Sequence, residues 1–126
     1  MLKLTQFYLL KMKIDLLLIL CSFHIYGQND LKLPDTVSVI TYRIKGKTAT
    51  GYHTHEVKEP FVAISRDLLS KYPYHSYIEL KDCRWAGKYK VLDIMNSRHQ
   101  KTVDVFSKKQ VKYNKVSCQC ISALKN

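Results

Sequence analysis

Hydrophobic and polar positions alternate along much of this chain with the two-residue period of half-buried strands. Val37-Ser38-Val39-Ile40-Thr41-Tyr42 alternates, is rich in β-branched residues and predicts a first strand. Phe61-Val62-Ala63-Ile64 is a short unbroken apolar run and predicts a buried one. Tyr77 to Leu80, Gly87 to Asp93, Thr102 to Phe106 and Lys115 to Ile121 predict four more. Lys45-Gly46-Lys47 reads as a turn, Thr48 to His53 as extended or looped, and Tyr72-Pro73-Tyr74-His75 as a reversal. Two short helices are expected between these runs. Ser65 is placed to cap one over Arg66 to Lys71, with Asp67 in its first turn. Ser107-Lys108-Lys109-Gln110 matches a capping box that opens the other, running to Tyr113 with Asn114 as its C-cap. Six short strands with one or two short helices predict a mainly β chain closed into a small barrel.

The first residues break this pattern. Lys3, Lys11 and Lys13 precede the apolar run Leu16-Leu17-Leu18-Ile19-Leu20-Cys21, and Tyr26-Gly27-Gln28 follows. A basic flank, a short apolar core and a small residue at a cut site predict a signal peptide over residues 1–27. The apolar run is too short for a comfortable membrane span, so no transmembrane segment is expected after its removal. The alternative is a lipid anchor at Cys21, where Leu20 occupies a position that usually holds a small residue. Residues 28–36, with Pro34, read as a flexible leader. Residues 37–126 are long enough for a single domain with one modest core. The expected location is periplasmic or extracellular.

Export changes what the charge means. Residues 1–27 hold Lys3, Lys11, Lys13 and Asp15, so twenty-one basic and ten acidic residues become eighteen and nine, a net +9. Such a surface favours anionic partners. Outside the cytoplasmic membrane these are envelope polymers rather than nucleic acid: peptidoglycan with its lactyl and stem-peptide carboxylates, or lipid and polysaccharide phosphates. A solvated basic surface that serves solubility accounts for the same charge. An oxidising compartment also favours a disulfide among Cys83, Cys118 and Cys120. Cys118 and Cys120 lie two apart in a strand, share a face and bridge each other poorly. Cys83 with one of them is the expected pair. Cys-x-Cys is not the usual metal knuckle, so neither zinc nor another metal or cofactor is expected.

Candidate chemistry concentrates between Val91 and Phe106. Asp93 closes one apolar run, and Asp104 sits inside the next between Val103 and Val105. A carboxylate there points away from the face its neighbours occupy, and its charge is costly unless the site uses it. Asp93 before Met95-Asn96-Ser97 is also a natural turn cap, whereas Asp104 has no local turn to cap. His53, His55 and His99 are candidate polar groups of a cleft. Tyr42, Tyr72, Tyr74 and Trp85 can stack on sugar rings, or simply fill the core.

Thr48-Ala49-Thr50-Gly51, Val62-Ala63-Ile64-Ser65, Leu92-Asp93 and Val103-Asp104-Val105-Phe106 come in an order that resembles the 3D domain, named for three aspartates. That domain is a double-psi β-barrel at the catalytic end of membrane-bound lytic transglycosylase A and in several secreted cell-wall proteins. Rare lipoprotein A and the expansins are more distantly similar. The resemblance spans Val37 to Phe106. It implies cleavage of peptidoglycan glycosidic bonds, with Asp104 as catalytic acid and Asp93 as its helper. It also implies a groove lined by Thr48, Thr50 and Tyr52, joined here by His53, Asn96 and His99 as substrate-binding candidates. The expansin-like relatives imply an alternative, a wall-binding or wall-loosening module that does not cut. This chain departs from the family at three points. Ser65 stands where the earliest aspartate falls, with Asp67 nearby. Met95-Asn96-Ser97-Arg98-His99 replaces a glycine-rich turn, and His75 replaces a glycine.

Overall fold

The computed structural model describes residues 2–25, 33–112 and 114–124. They fall into two compact units, Met1–Leu31 and Lys32–Asn126. The first holds helix α1, Leu2–Ile25, whose apolar residues are spread around the helix instead of forming one stripe. Leu4, Phe7, Leu10 and Met12 are exposed on it. Among the described residues no helix is long and apolar enough to cross a membrane. The expected cleavage at Tyr26 to Gln28, and the leader as far as Lys32, lie outside the described residues.

The second unit is a closed six-stranded mixed barrel of β1 (Asp35–Tyr42), β2 (Phe61–Ile64), β3 (Tyr77–Lys81), β4 (Gly87–Ile94), β5 (Thr102–Phe106) and β6 (Val116–Ala123). Their order around the barrel is β1-β5-β2-β4-β3-β6. β1 runs parallel to β5 and β2 parallel to β4, and the other four pairings are antiparallel. This arrangement is compatible with a double-psi barrel. Closure leaves no strand edge unpaired. The mainly β barrel expected from the alternation is therefore what forms, with every expected strand in place.

Alternation decides which side chains fill it. Val37, Val39, Val62, Ile64, Ile78, Leu80, Val91, Val103, Val105, Cys118 and Cys120 are buried in one cluster. Each large aliphatic contributes about 1.5–3 kcal/mol on burial. Tyr72 joins the same cluster at 1% exposure. Its hydroxyl donates to Asp35 Oδ2 (2.6 Å) and to the Cys120 carbonyl (3.0 Å). Burial and the Asp35 carboxylate both raise the Tyr72 pKa. Lys71 pairs with Asp35 at 2.7 Å and, with the Tyr72 hydroxyl, holds that carboxyl below its usual range. A disulfide ties Cys83, in the loop after β3, to Cys118 on β6. Cys120 remains a free, buried thiol whose pKa burial raises to about 11.

The helical expectations need correction. The segment after Ser65 is a single 3₁₀ turn, Arg66–Leu68, and Ser65 makes no side-chain cap. Its Oγ instead accepts the Thr102 N–H (3.0 Å), while Asp67 accepts the Lys101 N–H (2.9 Å). Both acceptors are consumed at the entry to β5. The capping box at Ser107 opens no helix over residues 107–112, and Tyr113 lies outside the described residues. Ser107 N–H donates to the Tyr42 carbonyl (2.9 Å), carrying the β1–β5 ladder one residue further. Its Oγ donates to the Lys109 carbonyl (2.9 Å) in a tight turn. Lys108, Lys109 and Lys112 leave no apolar stripe to bury, and a short helix without tertiary packing is not stable.

Candidate functional site

The two aspartates meet across β2, which lies between β4 and β5. Ala63 is in register with Asp93 on its parallel side and with Asp104 on its antiparallel side. The β2–β4 register shifts between Val62 and Ala63: Val62 faces Val91, yet Ala63 faces Asp93. Leu92 is the extra residue of this bulge. Without it Ala63 would face Leu92, and Asp93 would turn to the opposite side of the sheet. The methyl of Ala63 leaves the space between the two carboxyl groups open.

Asp93 is fully committed. Oδ1 accepts the N–H of Ala49 (2.8 Å) and of Ile94 (2.9 Å), and Oδ2 accepts the Tyr42 hydroxyl (3.4 Å). Its carboxylate thus anchors the loop between β1 and β2. Within that loop Thr48 N–H donates to the Tyr52 carbonyl (2.8 Å) and Thr54 N–H to the Gly46 carbonyl (2.9 Å). Thr48 Oγ1 accepts the Tyr52 N–H (3.1 Å) and lies 3.0 Å from Thr50 Oγ1. The Thr50 hydroxyl donates to the Leu92 carbonyl at 2.7 Å. Gly51, at φ 90°, makes the turn that a β-carbon would strain.

Asp104 is the opposite case. Its Oδ1 is buried and has no hydrogen-bond partner among the described residues. Burial first, and the nearby Asp93 charge second, push its pKa from 3.8 up to about 7. The same burial, with the charges of Asp93 and Asp104, raises the Tyr42 pKa, so that hydroxyl stays a donor. The carboxyl opens onto a hollow of about 230 Å³ lined by Tyr42, Ile44, Gly46, Lys47, Thr54, Ala63, Asp93, Met95, Asn96 and His99. Asn96 Oδ1 accepts the Arg98 N–H (3.1 Å), which shapes the turn that carries His99 to the rim. A carboxyl group that keeps its proton near neutral pH, faces a cavity and makes no ion pair among the described residues can act as a proton donor there.

The hollow therefore brings Asp93, Asp104, Asn96 and His99 together. Thr48 and Thr50 are not on it, because their hydroxyls hold the loop closed. Tyr52 and His53 lie on a second hollow of about 510 Å³, shared with Glu56, Lys58, Glu59 and Lys90. The loop between β1 and β2 thus contributes to two cavities. Glu59 there accepts from Lys90 (2.9 Å) and from the Tyr77 hydroxyl (3.0 Å). His55 packs edge-on against Phe106 at 5.5 Å, with Nε2 buried and without a partner among the described residues. Tyr74 and Trp85 pack against the core. Gly46, Lys47 and Thr54 escaped sequence reasoning, since nothing in a turn of small and basic residues says which strand it will cover. Tyr42 was visible as an aromatic able to stack on a sugar ring or fill the core, but not as a hydroxyl donor to Asp93. No cluster of three metal-ligating side chains occurs among the described residues.

Comparison of the chain with protein-family models, with curated proteins and with solved structures finds no match.

Proposed function

We propose that this is an exported cell-wall protein of the 3D-domain type that cleaves glycosidic bonds of peptidoglycan in the manner of a lytic transglycosylase. The observation that carries the reading is the inequality of the two carboxyl groups. Asp104 lines an open hollow, and its buried Oδ1 has no hydrogen-bond partner among the described residues. Asp93 spends both oxygens on Ala49, Ile94 and Tyr42. A two-carboxylate hydrolase needs a second free carboxylate as nucleophile or base. Here one carboxyl group is free, which suits a reaction that needs only one. Asp104 protonates the glycosidic oxygen as the bond to C1 breaks. The resulting carboxylate then accepts the proton of the sugar's own 6-hydroxyl as O6 bonds to C1. The product is a 1,6-anhydro ring, the acid is regenerated and no water is consumed. Asp93 and Tyr42 act as positioning groups that keep the loop wall and the local negative charge in place.

Purified protein and its Asp104→Asn variant, incubated with peptidoglycan sacculi, test this directly by mass spectrometry of released muropeptides. The wild type should release 1,6-anhydro products and the variant should not. No product from the wild type sinks the proposal, and equal product from both removes Asp104 from the role. Co-sedimentation of both proteins with sacculi, without product, would establish instead the non-cutting, expansin-like alternative.

A further inference from the structure

Tyr42 borders two hollows. One holds Asp104. The other, of about 240 Å³, is lined by Thr41, Arg43, Ser107, Lys109, Gln110 and Val111 in addition to Tyr42. It exists because β1 and β5 are parallel. Tyr42 faces Phe106 in register, so the segments that follow both strands leave the barrel at the same end. The Ser107 N–H bond to the Tyr42 carbonyl holds them side by side. These segments are Arg43-Ile44-Lys45-Gly46-Lys47 and Ser107-Lys108-Lys109-Gln110-Val111-Lys112. Together they carry six cations and no acid. None of the six makes an ion pair among the described residues. Like charges gathered on one rim repel each other, and an anion that docks there relieves that repulsion.

We propose that Arg43 and Lys109 form an anion subsite beside the Asp104 hollow, taking carboxylates borne by the same polymer whose glycosidic bond lies at Asp104. This rests on the peptidoglycan reading and extends it from the bond cut to the substituents recognised. A guanidinium and an ammonium flanking a concave wall suit a carboxylate, with the Gln110 amide and Ser107 hydroxyl as neutral partners. Tyr42 borders both hollows, so this subsite lies next to the Asp104 hollow.

The test is co-sedimentation of the full chain with native sacculi and with sacculi whose carboxylates have been amidated. Three proteins are compared: wild type, Arg43→Gln/Lys109→Gln, and Arg66→Gln/Lys81→Gln as a control of equal charge loss on another part of the surface. Loss of two charge-assisted contacts should weaken binding of the Arg43/Lys109 variant to native sacculi about tenfold, with the control within about twofold of wild type. Amidation should bring wild type down to the level of the Arg43/Lys109 variant. Equal losses in the two double variants, or indifference to amidation, would overturn the subsite. So would capture of wild type by phosphatidylglycerol vesicles that the Arg43/Lys109 variant loses, which would make the rim a lipid-binding surface. Anhydro products report separately on cutting. Their absence with this binding pattern intact would sink the cutting reading and leave the subsite standing.

Discussion

The end of β4 and the middle of β5 present the same side chain in two states. Asp93 is held by two main-chain N–H groups and a tyrosine hydroxyl. Asp104, which flanks the same Ala63 from the other side, has an oxygen with no partner at all among the described residues. One carboxylate stabilises the loop between β1 and β2, and the other, desolvated and with an unpartnered oxygen, costs stability. Residue type therefore says little about role. The number of donors that converge on each carboxyl group separates the two, and it assigns them opposite responses to mutation.

The largest expected effect is on turnover. Asp104→Asn should lower the rate of anhydro-product release by about 10²–10⁴-fold, the usual range for a general acid or base, while its melting temperature stays level or rises. The reverse outcome, an active and destabilised Asp104→Asn, would erase the distinction between the two aspartates.

The next effect is a stability change with pH. Asp104 has its pKa raised from 3.8 to about 7 by burial and then by Asp93. Below about pH 4 it carries a proton in both the folded and unfolded states, so it costs nothing. Between about pH 4 and 7 the unfolded state releases its proton first, and folding stability falls as pH rises. Above about pH 7 the full cost is present, at most ~4 kcal/mol for a shift of this size. Asp35 and Asp67, with lowered pKa values, act oppositely: their contribution is lost as pH falls below 3.8. Urea denaturation across this range should show the fall in wild type and a flatter profile in Asp104→Asn. Parallel profiles for the two proteins would mean that Asp104 is not desolvated.

Asp93→Ala should cost about 2–3 kcal/mol, because it leaves the Ala49 and Ile94 N–H groups without their charged acceptor. Equilibrium denaturation measures this loss, and hydrogen exchange at Ala49 should rise with it. A variant as stable as wild type would show that the loop does not depend on the carboxylate.

The strands were legible because each carries its period in adjacent residues: Val37 to Tyr42 by alternation, Phe61 to Ile64 by continuous apolarity. The asymmetry of the site was legible in part, since Asp104 between Val103 and Val105 already lacked a turn to cap. What escaped depends on distant partners. Asp93 was read as a cap for the turn after it. It does accept the Ile94 N–H, but its other main-chain donor is Ala49, 44 residues earlier. The bulge at Leu92 leaves no local mark in Val91-Leu92-Asp93. The parallel pairing of β1 with β5 cannot be inferred from either strand alone, so neither could the shared cationic rim. Ser107 failed as a helix cap for the same reason, since a ladder partner 65 positions away took its N–H.

The smallest effect bears on the loop that Asp93 supports. Thr50 was expected in the groove, yet its hydroxyl donates to the Leu92 carbonyl at 2.7 Å and touches Thr48 Oγ1 at 3.0 Å. Thr50→Val keeps the shape and removes the donor, which should cost about 1 kcal/mol of stability. The Leu92 carbonyl would keep the Thr50 N–H as a donor, at 3.3 Å, so the loop should loosen without opening. If Thr50 acts only through the loop, product release should fall by less than about tenfold, since a change of ~1 kcal/mol is worth about fivefold. A loss of 10²-fold or more at unchanged stability, well above what ~1 kcal/mol supplies, would mean that the hydroxyl reaches the sugar. The loop would then belong to the reacting side of the molecule with Asp104, and the division of labour between the two aspartates would have to be redrawn around it.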